Sequence, residues 1–130
     1  MPLDIVPFYA ALLGLVYLAL SLRAIRARRS ARKAIGPLGD DALDRRVRAH
    51  ANFAEYAPLV LLLLAFAELR ELPEMLVHLG CALLLVGRCL HAWGLSQVPE
   101  NFRYRVYGMY GTFLALVVAA TLLLASYAVG

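Results

Sequence analysis

The chain has 130 residues, of which 62% are hydrophobic, and its mean hydropathy is +0.70. A soluble domain is about 45–50% apolar, so this composition excludes an ordinary water-soluble globule and requires lipid as solvent. The net charge of +4 does not signal nucleic acid, because the basic residues flank apolar spans, where the positive-inside rule puts them.

Length predicts one compact domain over residues 1–130. The first apolar run, from Ile5 to Leu22, is long enough to cross the hydrocarbon. A signal peptide would carry a basic start, whereas the residues before this run include Asp4 and no Lys or Arg. The basic block follows instead: Arg23, Arg26, Arg28, Arg29, Arg32 and Lys33. That order predicts a retained helix over about 5–33 with its start outside and its end in the cytoplasm. The segment from Ile35 to Asp41 contains Gly36, Pro37 and Gly39, which break the helix. Asp40 or Asp41 can cap a second helix over about 42–69, and Asp44 suits its first turn. This helix begins polar and ends apolar, with Pro58 expected to kink it near the membrane boundary.

A short turn carrying Glu68, Arg70, Glu71, Pro73 and Glu74 leads to a third helix over about 74–96. The link from Ser96 to Phe102 holds Pro99 as a breaker, and a fourth helix follows over about 104–128. If the first connection is cytoplasmic, so is the third, and Arg70 is the lone basic residue on the outer side. An even number of crossings then places both termini outside. Cys81 and Cys89 stand eight residues apart on one helix, roughly 12 Å by its rise per residue. They cannot pair within a protomer and read as small apolar packing residues.

Arg48, Asn52, Glu55 and Tyr56 stand at i, i+4, i+7 and i+8 and share one face of the second helix. Charged groups near lipid are costly unless paired or functional. One reading is a self-satisfied network in which Arg48 pairs with Glu55 and joins helices. The other is a ligand site. His50 lies on roughly the opposite side and reads as a packing residue. Arg88 and His91, at i and i+3 near the end of the third helix, either snorkel or turn toward the second helix and complete a polar pocket. Arg103 and Arg105 open the fourth helix against its dipole, which points either to a bound anion or to positive-inside orientation. Tyr104, Tyr107 and Tyr110 form an interfacial belt or pocket walls. A metal site would need more ligands than His50, His78 and His91 can supply, and His78 lies near the outer end of its helix, far from the other two, so no metal site is expected.

This assembly of guanidinium groups, one carboxylate, an amide and phenols suits a ligand with two or more anionic groups and one cationic group. Carboxylates call for Arg, and an ammonium calls for Glu. Glutathione has that charge pattern, with a thiol whose ordinary pKa is about 8.5. A nearby guanidinium populates its reactive thiolate.

The string Arg48-Ala49-His50-Ala51-Asn52-Phe53-Ala54-Glu55-Tyr56-Ala57-Pro58 resembles the signature of the MAPEG family (membrane-associated proteins in eicosanoid and glutathione metabolism). Gly87-Arg88-x-x-His91 on the third helix and an Arg opening the fourth are also similar, and the resemblance spans essentially the whole chain. It is nearest to the small bacterial members. The resemblance implies an all-α membrane protein, a four-transmembrane-helix bundle assembled as a homotrimer, in the bacterial inner membrane. It implies glutathione as co-substrate, bound in a bent shape near the cytoplasmic side between protomers, and no metal. Arg48, Asn52, Glu55 and Tyr56 would bind it, with Arg88 and His91 nearby and Tyr107 and Tyr110 as further walls. Arg105, or its rival Arg103, would stabilise the thiolate. A basic residue ending the first helix also reaches the site in the family, for which Arg26 and Arg29 are both candidates. The chain departs from characterised eukaryotic members at Leu95, where they have a Tyr that helps hold glutathione.

The expected function is therefore a membrane-bound glutathione transferase or peroxidase acting on a lipophilic electrophile or hydroperoxide that enters from membrane lipid. The alternative is a non-catalytic ligand-binding or scaffold protein of the same fold, which Leu95 favours. A small proton-coupled exporter would want a carboxylate deep in the first helix, and the run from Ile5 to Leu22 offers none.

Overall fold

Each apolar run of the sequence forms one long helix in the computed structural model, which describes residues 2–130. The helices are α1 (Ile5–Ala31), α2 (Asp41–Leu69), α3 (Glu74–Leu95) and α4 (Phe102–Ala128). All four are long and apolar enough to cross a membrane. The 27 residues of α1 amount to about 40 Å, against a hydrocarbon thickness of about 30 Å. Its last turns therefore reach past the apolar layer.

The helix ends follow from local chemistry. Arg32 turns left-handed at φ 55°, and the Lys33 N–H donates to the Arg28 carbonyl at 3.1 Å. This Schellman-type closure stops α1 at Ala31, two residues before the sequence expectation. Between the two capping candidates, Asp40 is the cap: its side chain accepts from the Leu43 N–H at 3.2 Å. Asp44 accepts from the Leu38 N–H at 2.8 Å and pins the preceding loop. The helix continues through Pro58 without interruption. Asn101 accepts from the Arg103 N–H at 3.1 Å, so α4 begins at Phe102 and takes both Arg103 and Arg105 into its first turn.

α2 and α3 form the centre of the bundle. α1 packs on both, α4 packs on both from the other flank, and α1 and α4 do not touch. Leu13, Phe53, Val60, Leu64, Leu84 and Cys81 fill the core. The closest approach is between α3 and α4. A Cβ on Gly108 would stand 2.5 Å from the His91 backbone nitrogen and 2.6 Å from the Gly87 carbonyl oxygen, and one on Gly94 would stand 2.8 Å from the Arg105 nitrogen. Small residues let helix backbones approach where lipid gives no hydrophobic drive between helices. Cys89 departs from its expected packing role: it is exposed, while Cys81 is buried. The α3 face that presents Cys89 also exposes Val86 and Trp93.

Opposite the basic end of the bundle, residues read from sequence as a simple turn act as staples. Glu68, in the last turn of α2, accepts from the backbone N–H groups of Asp4, Ile5 and Val6 at 2.8, 2.6 and 2.8 Å. The Asp4 side chain itself caps nothing, so a carboxylate from another helix does the capping. Arg70 donates to the Ser126 hydroxyl at 2.7 Å and lies over the Tyr127 ring at 3.9 Å, tying α2 to the end of α4. Glu68→Ala is expected to cost about 2 kcal/mol, since it removes a charged acceptor from three N–H groups. Hydrogen exchange should then report faster opening of residues 4–8 with the basic end unchanged.

Candidate functional site

The polar face of α2 divides into an inner and an outer part. Asn52 is buried, whereas Arg48 and Glu55 face outward. Arg48 Nη1 and Nη2 donate to the two Glu55 carboxylate oxygens at 3.0 and 3.4 Å. The side chains are 53% and 50% exposed. The Arg48–Glu55 pairing of the self-satisfied alternative is thus present, but it lies within α2 and joins no other helix. An ion pair this open contributes little stability, and an incoming ligand can part it at small cost.

Behind this face lies Arg88, which does not snorkel: it is 1% exposed. Its Nη1 donates to Asn52 Oδ1 at 2.5 Å and to the Asn52 carbonyl at 3.3 Å. Nε donates to the Thr112 hydroxyl at 2.9 Å, which in turn donates to the Gly108 carbonyl at 2.9 Å. Nη2 points at the Met109 sulfur at 3.0 Å. The guanidinium sits 5.5 Å from the centre of the Tyr56 ring, and Tyr56 meets Phe113 edge-on at 5.6 Å. Among the described residues no carboxylate pairs with Arg88. Its hydrogen bonds are met by neutral acceptors, so its charge stays uncompensated behind Asn52 and Tyr56. His91 is 3% exposed, one turn further along α3, with Gly108 packed on its backbone.

The basic end holds a second cluster that sequence reading missed. Glu100, in the α3–α4 connection, turns its carboxylate inward until the side chain is 2% exposed. Its Oε1 accepts from Arg45 Nη1 at 2.6 Å and from Arg105 Nη1 at 3.2 Å. Arg45 also pairs with Asp41 at 2.8 Å and donates to the Leu95 carbonyl at 3.1 Å. The i, i+4 spacing of Asp41 and Arg45 was a legible signal for half of this cluster. The other half lies 55 residues away in sequence and had none.

The remaining candidates lie apart from both clusters. Arg26, Arg29, Arg103, Tyr107 and Tyr110 are exposed, and their side chains form no hydrogen bond or ion pair with either cluster among the described residues. The first-helix arginine that does reach the end of α3 is Arg23, whose Nη1 donates to the hydroxyl of Ser96, the residue capping that helix, at 3.3 Å. Leu95 is buried in the core at 4% exposure. His50 stacks on Tyr17 at 5.1 Å, on the side of α2 that faces α1. An apolar groove of about 430 Å³ runs between α1 and α2, lined by Gly14, Tyr17, Phe53 and Pro58 among others.

This combination of four apolar helices, a buried arginine behind Asn52 and an outward Arg–Glu pair can be set beside known proteins. The chain is 34% identical over 109 residues to the inner membrane protein YecN of Escherichia coli strain K12, covering 84% of this chain and 82% of that one. The YecN protein of Escherichia coli O6:H1 strain CFT073 gives the same figures. The sequence model of the MAPEG family matches residues 6–125, nearly the whole length that forms the four helices, and this protein is accordingly a bacterial-type membrane protein that belongs to the MAPEG family.

Proposed function

We propose that the protein is a glutathione-dependent transferase or peroxidase that works as a homotrimer, with glutathione bound at the basic end between neighbouring protomers. The observation that carries this reading is the carboxylate-free Arg88 behind Asn52 and Tyr56, fronted by the open Arg48–Glu55 pair. Such a site offers positive potential to an anion and a separable carboxylate to an ammonium. Arg48 would take a glutathione carboxylate, Glu55 the ammonium, and Tyr56 and the Asn52 amide the peptide groups. Arg88 acts through Asn52, since it is itself enclosed, and buried His91 supports the α3 wall. Arg26, Arg29, Arg103, Tyr107 and Tyr110, whose side chains have no hydrogen-bond or ion-pair partner among the described residues, are the groups left to reach a neighbour's ligand.

Arg105 would hold the sulfur as thiolate. The thiolate attacks the electrophilic carbon of a lipophilic substrate arriving from the bilayer, forming a carbon–sulfur bond as the leaving group departs. With a hydroperoxide the thiolate takes the terminal oxygen as the O–O bond breaks, releasing the alcohol and leaving a sulfenic acid, which a second glutathione converts to the disulfide and water. No metal is needed for either step. The basic end faces the cytoplasm, by the positive-inside rule, and both termini face the other side.

Calorimetry on detergent-purified protein, with conjugation of a generic aryl halide, tests this reading. Arg48→Ala is expected to weaken glutathione binding roughly ten- to a hundredfold, the worth of a charge-assisted hydrogen bond. Arg105→Ala should lower turnover about ten- to a hundredfold, because a cation near the thiol shifts its ionisation by one or two units. Binding without turnover, unchanged by Arg105→Ala, would leave a ligand-binding protein, the reading that Leu95 favours. No glutathione binding at all would return Arg48 and Glu55 to a purely structural pair.

A further inference from the structure

We infer that Glu100 is a positioning residue that grips Arg105 by one edge and turns its other edge toward the anion it is to hold; this rests on the glutathione reading of the site.

The connection from Ser96 to Asn101 leads from the end of α3 to the start of α4, and its neighbours Val98, Pro99 and Asn101 are exposed. A carboxylate in such a loop has water available to it. Glu100 instead buries its side chain to 2% exposure and leaves one oxygen, Oε2, without any partner among the described residues. A half-satisfied buried carboxylate is costly. What the inward turn achieves lies on the other oxygen, which meets Arg45 of α2 and Arg105 of α4 at 2.6 and 3.2 Å. Arg45 in turn holds the last carbonyl of α3. One loop side chain thus joins the ends of three helices, and it does so through the guanidinium assigned to the thiolate.

The grip on Arg105 is partial. Only Nη1 is engaged by an acceptor, and the side chain remains 39% exposed. Nε and Nη2 form no hydrogen bond among the described residues, so a second anion can be received by the free edge. A free arginine in the first turn of α4 would be pushed outward by the helix dipole. Glu100, just before the helix start, supplies the opposing charge and holds it in place. The same carboxylate also moderates the positive potential that a bound sulfur feels.

Position and charge can be separated by two substitutions. Glu100→Gln keeps an acceptor oxygen on Arg105 but removes the negative charge. Glu100→Ala removes both. Ultraviolet titration of the thiolate of bound glutathione is the readout, with steady-state conjugation beside it. In E100Q the thiol should ionise at a pH lower than in wild type by about half a unit, since a nearby opposing charge is gone. In E100A the released Arg105 should let it ionise at a higher pH, with turnover at neutral pH falling roughly five- to tenfold and the KM for glutathione changing less than about threefold. Shifts of opposite sign support the positioning role.

Identical titrations in wild type and both variants overturn it. So do upward shifts in both variants accompanied by equal losses of thermal stability, which mark a merely structural strap. If E100A does not fold, the near-isosteric E100Q decides alone: a downward shift supports the proposal, and no shift overturns it. Wild type that binds no glutathione overturns the parent reading and this inference with it. Wild type that forms thiolate while E100Q and E100A match it overturns this inference only.

Discussion

Asn52→Leu is expected to destabilise the protein by about 3–5 kcal/mol, the usual cost of stripping a partner from a buried charge. The Asn52 side chain is nearly isosteric with leucine, so the loss is electrical rather than steric. Arg88 would retain Thr112, the Met109 sulfur and the long bond to the residue 52 carbonyl, with no carboxylate to compensate it. Arg88→Met is expected to be milder. It leaves the Asn52 amide short of a donor, at about 1–3 kcal/mol, but also removes the charge whose burial was unfavourable. The double variant, Asn52→Leu with Arg88→Met, should recover most of the loss, because replacing a buried polar set by apolar residues of similar volume is often nearly neutral. Reversible unfolding in mixed micelles measures all three. Equal stability of Asn52→Leu and wild type would show that the Arg88 charge is satisfied elsewhere. Arg88→Met, which keeps Asn52, also separates fold from function: if the buried charge draws an anion to the α2 face, this variant folds yet binds glutathione poorly.

Gly108→Ala is the second large effect, expected at about 3 kcal/mol as an overpacking cost at the upper end of the common range. The added carbon would meet the His91 nitrogen at 2.5 Å, the Gly87 oxygen at 2.6 Å and the His91 Cα at 2.7 Å. All three are backbone atoms, and no rotamer change can move them. α3 and α4 would have to separate, loosening the contacts of Gly87, Gly94 and Thr112 along the same seam. Gly14→Ala is the control. Its Cβ would meet nothing within 4 Å, and alanine is the better helix former by up to about 1 kcal/mol. Gly14→Ala should therefore be neutral or stabilising, while Gly108→Ala unfolds at markedly lower temperature. Similar melting of the two variants would refute the close seam.

Four apolar runs, two breaker-rich connections and the basic flanks were enough to read an all-helical membrane protein with four spans. Membrane segments are legible because each must satisfy its own backbone and be apolar on most faces, whatever its neighbours do. The Arg48–Glu55 spacing and the capping aspartates were legible for a similar reason: partners within eight residues on a helix have nearly fixed geometry. The family signature was legible as a string.

What the tertiary structure decided was which polar groups are enclosed and which remain open. Arg88 carried two readings in sequence, and only the approach of α4, permitted by Gly108 and Gly87, closed it in behind Asn52. Glu68, Arg70 and Glu100 looked like connecting-turn residues because their partners lie more than 50 positions away in Asp4, Ser126 and Arg45. Glu100 also holds Arg105, only five positions on, but that contact depends on the loop folding inward. Local periodicity carries no information about such contacts; they arise when helix ends are brought together by packing. Thus the chain alone determined the membrane class, the four helices and the family. Packing determined that the polar face of α2 is an open ion pair over a buried cation, and that Arg105 is held from behind.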